Sequence, residues 1–263
     1  MAAIRIATLN TQIGRTLKST HGLRIFAKHQ VDVLLLQEVF GMDEVLVRQV
    51  LHLEGYELVA FNRPTGLAIA LRSSSSFAVP NNSVAIHILQ DSGRLTKVIA
   101  RHAHIPEHHV RARGVLTATL LTAPGQKVTV ATTHPTVFIR HRSRAAHLQS
   151  LQHHLADTYS ASQPLILGAD MNHYPGPGNS DVMFRTINQL TEVPLNEATW
   201  LIAGTKYERL ARLASQLNHQ PMRAYDGRLD TILFRGIGLQ HIKTTVVPIE
   251  SDHRAIISYF SIP

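Results

Sequence analysis

The chain has 263 residues, with 26 Lys plus Arg against 18 Asp plus Glu, a formal net charge of +8 and no cysteine. Apolar residues make up 44% and charged residues 17%, which suits a sizeable core and excludes a disordered polyelectrolyte. Without cysteine there is no disulfide scaffold, thiolate zinc site, iron–sulfur cluster or cysteine nucleophile.

In chain order, Ile4–Leu9 reads as a first strand and Val31–Gln37 as a second, almost wholly apolar and so buried on both faces. Leu23, Ile25 and Phe26 between them suit a helix. A further helix is predicted over Asp43–Leu53, with Val45, Leu46, Val50 and Leu53 on one side. Strands then dominate: Tyr56–Phe61, Leu67–Leu71, Ser83–Leu89, Lys97–His102, Gly114–Leu121 and Val128–Thr133. The serine run Ser73–Ser76 reads as a hairpin turn. Arg140–Thr158 is the clearest helix, with Leu148, Leu151 and Leu155 in register. Leu165–Ala169 is a strand, Asp181–Leu190 and Tyr207–Leu217 are helices, and Leu229–Phe234, Thr244–Val247 and Ala255–Phe260 are closing strands. Strands and helices do not alternate as a barrel of strand–helix units requires. The order fits one α/β domain over 1–263: a four-layer sandwich, two mixed β-sheets packed face to face with helices on both outer sides.

Polar residues that end buried apolar strands are the candidate chemistry. Asn10 ends Ile4–Leu9, Glu38 ends Val33–Gln37, and His134 ends Val128–Thr133. Asp170 and Asn172 follow Leu165–Ala169, Asp252 and His253 precede the last strand, and Asp230 lies in Arg228–Leu233. Strand ends along one edge of a sheet converge, and ligand sites form there. Carboxylates, amides and imidazoles suit Mg²⁺, with Mn²⁺ as a substitute. With a divalent ion they are the parts needed for phosphoester hydrolysis. No His-Glu-x-x-His zinc motif and no phosphate-binding Gly-x-x-x-x-Gly-Lys-Ser/Thr loop occurs.

The chain resembles the endonuclease/exonuclease/phosphatase superfamily, of deoxyribonuclease I-like fold. The resemblance rests on Ala7-Thr8-Leu9-Asn10, Leu35-Leu36-Gln37-Glu38-Val39, Gly66-Leu67-Ala68-Ile69-Ala70, Thr132-Thr133-His134, Gly168-Ala169-Asp170-Met171-Asn172, Arg228-Leu229-Asp230-Thr231-Ile232-Leu233 and Ser251-Asp252-His253-Arg254-Ala255. It implies a hydrolase with Asn10, Glu38 and Asp252 around a metal, usually Mg²⁺. Asp170 and Asn172 would handle the attacking water, His253 held by Asp230 would serve phosphate contact or proton transfer, and His134 would stabilise the scissile phosphate or assist the leaving oxygen. Thr133-His134 and Asn10-Thr11-Gln12 are more similar to the deoxyribonuclease I, sphingomyelinase and phosphatase branch than to the exonuclease III branch.

Nine basic residues and one acid lie between Arg94 and His154, so that segment carries the whole net charge. A polyanionic partner follows as an expectation. By the resemblance, Arg111 and Arg113, with the Arg94–Arg101 group, are candidates for nucleic-acid backbone contacts. Arg140, Arg144 and His147 form a stripe on the long helix, read as an outer, solubilising face. The expected function is a metal-dependent nuclease cleaving DNA or RNA phosphodiesters; the alternative is a lipid or inositol phosphate phosphodiesterase or phosphatase. No signal peptide or membrane span is visible, so a cytoplasmic monomer without membrane insertion or a protein partner is the expectation.

Overall fold

The computed structural model describes residues 2–18, 22–89, 112–123, 125–135, 141–171, 190–192, 230–249 and 253–262. The strand predicted at Lys97–His102 and the helices at Asp181–Leu190 and Tyr207–Leu217 lie outside them, apart from Leu190.

Among the described residues there are two six-stranded sheets. The first contains β1 (Ala2–Asn10), β2 (Val33–Gln37), β3 (Tyr56–Asn62), β4 (Leu67–Arg72), β11 (Gln240–Val247) and β12 (Ala255–Ile262), in the order β11-β12-β1-β2-β4-β3. The second contains β5 (Val84–Ile88), β6 (Gly114–Leu121), β7 (Lys127–Thr133), β8 (Leu165–Asp170), β9 (Thr191–Glu192) and β10 (Asp230–Arg235), in the order β5-β6-β7-β8-β10-β9. Each sheet has one parallel pair at its centre, β1 with β2 and β7 with β8, and antiparallel neighbours elsewhere. The sheets are therefore mixed, as their sequence pattern predicts.

Alternation along each strand explains the layers, because successive side chains point to opposite faces. In β2, Val33 and Leu35 join Ile4, Ile6, Leu116, Ala118, Val130, Ile166, Ile232 and Ile256 in the core between the sheets. Leu34 and Leu36 face outward, where they pack with Phe26 of α2 (Arg24–Lys28) and with Val47 and Leu51 of α3 (Glu44–Leu53). A short α1 (Arg15–Lys18) buries Leu17 in the same layer. On the far side, Leu165, Leu167 and Ala169 of β8 pack against Leu148, Leu151 and Leu155 of α4 (His141–Thr158). The expected four layers result.

Three local expectations are corrected. The serine run after β4 is no hairpin turn, because β4 and β5 belong to different sheets; the segment crosses between layers. In α3 the buried stripe is Val47 and Leu51, with Val50 half-buried, while Val45, Leu46 and Leu53 are exposed. The buried Met42 and the Asp43 cap, whose carboxylate accepts from the Leu46 amide, set that helical phase. In α4, His147 is only 3% exposed and so is not on the outer face: it stands one turn before Leu151, on the side packed against the sheet.

Candidate active site

Strand register brings the predicted polar residues to one end of the sandwich. Asn10 lies opposite Gln37 in the parallel β1–β2 pair, so Glu38 follows immediately beside it. Thr133 lies opposite Ala169 in the parallel β7–β8 pair, which sets His134 beside Asp170. Asp230 lies directly opposite Asp170 in the antiparallel β8–β10 pair. His253 precedes β12, whose start runs beside the end of β1.

Gly168 allows the two sheets to meet closely here. A Cβ on it would lie 2.8 Å from Leu35 Cδ1 and from Thr8 Cβ and Oγ1, so only glycine fits without displacement. Below the site lies a polar floor. The Gln37 amide donates to Thr8 Oγ1 at 3.0 Å in its own sheet, to Thr132 Oγ1 at 2.8 Å in the other, and to the Leu35 carbonyl at 3.1 Å. All three side chains are fully buried. Sequence reasoning missed this floor, although polar residues at inward positions of apolar strands were its signal.

Asp170 is the hub. Asn10 Nδ2 donates to Asp170 Oδ2 at 2.7 Å. The same oxygen lies 3.5 Å from His134 Nε2 and 3.9 Å from His253 Nε2. His253 Nδ1 is 2.7 Å from Asp230 Oδ2, so the buried Asp230 carboxylate accepts the ring N–H and fixes the ring. Glu38 Oε1 is 3.9 Å from His134 Nε2.

Glu38 adopts a left-handed conformation with φ of 57°. Such a backbone is uncommon outside glycine and costs on the order of 1 kcal/mol or more. It ends β2 abruptly and leads into the 3-10 turn Val39–Gly41. Burial, and next the charge of Asp170, push the Glu38 carboxyl above its ordinary value; His253, the Asn10 hydrogen bond and Arg113 oppose this. Burial and the neighbouring carboxylate thus both favour the uncharged form of Glu38.

Arg113 sits inside the site and is 2% exposed. Its Nη1 is 3.0 Å from His134 Nδ1, and its guanidinium stacks over the Phe40 ring, 5.8 Å to the centroid. Asn172, Asp252, Arg111 and the Arg94–Arg101 group lie outside the described residues. The structure therefore brings together Asn10, Glu38, His134, Asp170, Asp230 and His253, with Arg113 behind them.

Ligand atoms of Asp170, Asp230 and His253 all lie within 4.8 Å of one another, a cluster that could hold a metal ion. Buried carboxylates, imidazoles and an amide thus meet at one edge of the two mixed sheets. The chain belongs to the endonuclease/exonuclease/phosphatase family, whose model matches residues 7–253. The family is one of phosphoester hydrolases that generally depend on a divalent metal. Among solved structures, a family protein from Bacteroides thetaiotaomicron is similar at a TM-score of 0.67 and 13% identity, covering 100% of this chain and 98% of that one. The human Nocturnin catalytic domain with bound sulfate is similar at 0.64 and 19%, covering 99% and 95%. D. rerio TDP2 complexed with a single-stranded DNA product is similar at 0.64 and 14%, covering 99% and 100%. These likenesses show the fold. No curated protein matches the chain. Among the described residues, no helix is long and apolar enough to cross a membrane.

Proposed function

We propose that this chain is a divalent-metal-dependent phosphodiesterase whose substrate is nucleic acid. The observation that carries the reading is the surroundings of Asp170: one carboxylate oxygen held by Asn10 at 2.7 Å and facing the Nε2 atoms of two histidines. The position of the +8 charge between Arg94 and His154 supports a polyanionic substrate. So does the single-stranded DNA product bound to one fold relative, TDP2.

The donor set fits a hard divalent ion. The buried Glu38 carboxylate and the Asn10 amide oxygen beside it are hard oxygen donors of the kind such an ion takes. Glu38 and Asn10 would hold the ion, with Asp252 added from the sequence pattern. The Asp230–His253 pair is already joined by its own hydrogen bond. When bound, a divalent ion neutralises phosphate charge and polarises a phosphoryl oxygen.

The chain's own groups do the rest. Asp170, oriented by Asn10, accepts the proton of the attacking water. His253 presents Nε2 towards the same space, with Asp230 stabilising the ring when it carries a second proton. His134 presents Nε2 from the opposite sheet position. In-line attack needs such positioning and charge neutralisation more than a covalent nucleophile. The test is a substrate panel with Mg²⁺, Mn²⁺ and a chelator: supercoiled plasmid, single-stranded DNA, RNA, sphingomyelin, inositol phosphates and a chromogenic phosphodiester. Cleavage of the nucleic acids, abolished by the chelator, supports the reading. Turnover confined to the lipid or inositol substrates replaces it.

A further inference from the structure

The two active-site histidines are wired in opposite ways. His253 is backed by a carboxylate, Asp230 Oδ2, at 2.7 Å from Nδ1. His134 is backed by a guanidinium, Arg113 Nη1, at 3.0 Å from Nδ1. We propose that Arg113 is a positioning residue that fixes His134 as the ring with its only proton on Nε2, making it a hydrogen-bond donor to a phosphate oxygen. The catalytic meaning of this proposal rests on the phosphodiesterase reading.

Donors and acceptors decide the tautomer. A guanidinium has five N–H donors and no acceptor. The His134 Nδ1 facing it must therefore present a lone pair, and a proton there would set N–H against N–H. The one remaining ring proton then belongs to Nε2, which faces Asp170 Oδ2 at 3.5 Å and Glu38 Oε1 at 3.9 Å. Arg113 stays charged at neutral pH: burial lowers it only to about 10, with Glu38 and Asp170 opposing.

The placement of Arg113 is built. Its guanidinium lies over Phe40. Phe40 in turn packs where Gly66 lacks a side chain, since a Cβ there would lie 2.5 Å from the ring. Gly66, Phe40, Arg113 and His134 thus form a continuous stack reaching the cleft. His134 then binds and orients the phosphate as a neutral donor, and of the two histidines only the carboxylate-backed His253 takes part in proton transfer.

Long-range ¹H–¹⁵N correlation of ¹⁵N-histidine-labelled full-length protein reads the tautomer directly, with His134 assigned from a His134→Gln sample. The expected spectrum shows Nε2 protonated and Nδ1 bare. Arg113→Met is expected to populate the Nδ1–H form and to lower kcat about tenfold or more with an unchanged circular dichroism spectrum. Arg113→Lys, which keeps a charged donor, is expected to retain the Nε2–H form and part of the lost activity. A wild-type His134 protonated on Nδ1 overturns the proposal, as does an unchanged tautomer in a folded Arg113→Met protein. Should that variant fail to fold, the wild-type and Arg113→Lys spectra decide. No substrate is needed for the spectrum, so a protein with this tautomer and no phosphodiesterase activity would refute the functional reading alone.

Discussion

Asn10 and Asp170, 160 residues apart in the chain and on different sheets, are joined by a hydrogen bond of 2.7 Å from Nδ2 to Oδ2. The bond joins the two sheets and orients Asp170, the carboxylate proposed to take the water's proton. Asn10→Ala removes the donor and leaves a buried carboxylate less well solvated, a loss of about 1–3 kcal/mol. Chemical denaturation should show that loss, and kcat should fall by roughly 10²-fold or more through misorientation of Asp170 and loss of an oxygen donor to the ion. Wild-type turnover in a folded Asn10→Ala protein would mean that neither the bond to Asp170 nor the Asn10 oxygen is needed for catalysis.

Gly168 tests how tightly the sheets meet. Gly168→Ala inserts a methyl group 2.8 Å from Leu35 Cδ1 and the Thr8 side chain. The expected cost is about 1–3 kcal/mol of overpacking. Because Asp170 is two residues further along the same face of β8, KM and kcat should both worsen. An unaltered denaturation midpoint would show that the strands have slack.

Away from the cleft, His154 of α4 stacks on His87 of β5, with ring centroids 4.1 Å apart and planes 6° from parallel. Burial, and next the charge of His87, lower the His154 value from 6.5, while Asp157 partly opposes this. The unfolded chain therefore takes up this proton first as pH falls. The stacked pair contributes fully above 6.5, and its contribution is lost as pH drops through 6.5 towards the lower folded value. Tm should fall between about pH 7.5 and 5.5, and by less in His154→Gln than in the wild type. Equal falls would show that the stack is not a titrating element.

Electrostatic grip on a nucleic-acid backbone should appear as salt dependence. If about three phosphates of a single strand are neutralised, binding weakens roughly 20-fold between about 50 and 200 mM salt. Measuring kcat/KM on single-stranded DNA across that range checks this, and a flat profile would argue against backbone contacts.

Much of this architecture was legible in the chain. Strand ends are readable because a buried strand is an apolar run, so a polar residue after Leu9, Gln37 or Ala169 stands out. Their convergence follows from register, which the parallel pairing of β1 with β2 and of β7 with β8 supplies. The buried setting of Arg113 was not legible. An arginine beside a second arginine and a run of positive charge looks like surface, and only packing over Phe40 and against His134 shows otherwise. The phase of α3 was also hidden, since Val45, Leu46, Val47, Val50, Leu51 and Leu53 offer two apolar stripes and the cap at Asp43 selects one. His147 misled for a similar reason: its spacing from Arg140 and Arg144 matched a solvent stripe, but it also stands one turn from Leu151.

Hydrolysis of single-stranded DNA by the wild type, Glu38→Ala and His253→Ala, with Mg²⁺ and with a chelator, is the sharpest test of the proposed chemistry. The wild type should cleave with Mg²⁺ and lose that activity with the chelator. In each variant kcat should fall by about 10²–10⁴-fold with the fold intact. Cleavage that survives the chelator, or near-wild-type turnover in either purified variant, would contradict a metal-assisted mechanism built on Glu38 and His253.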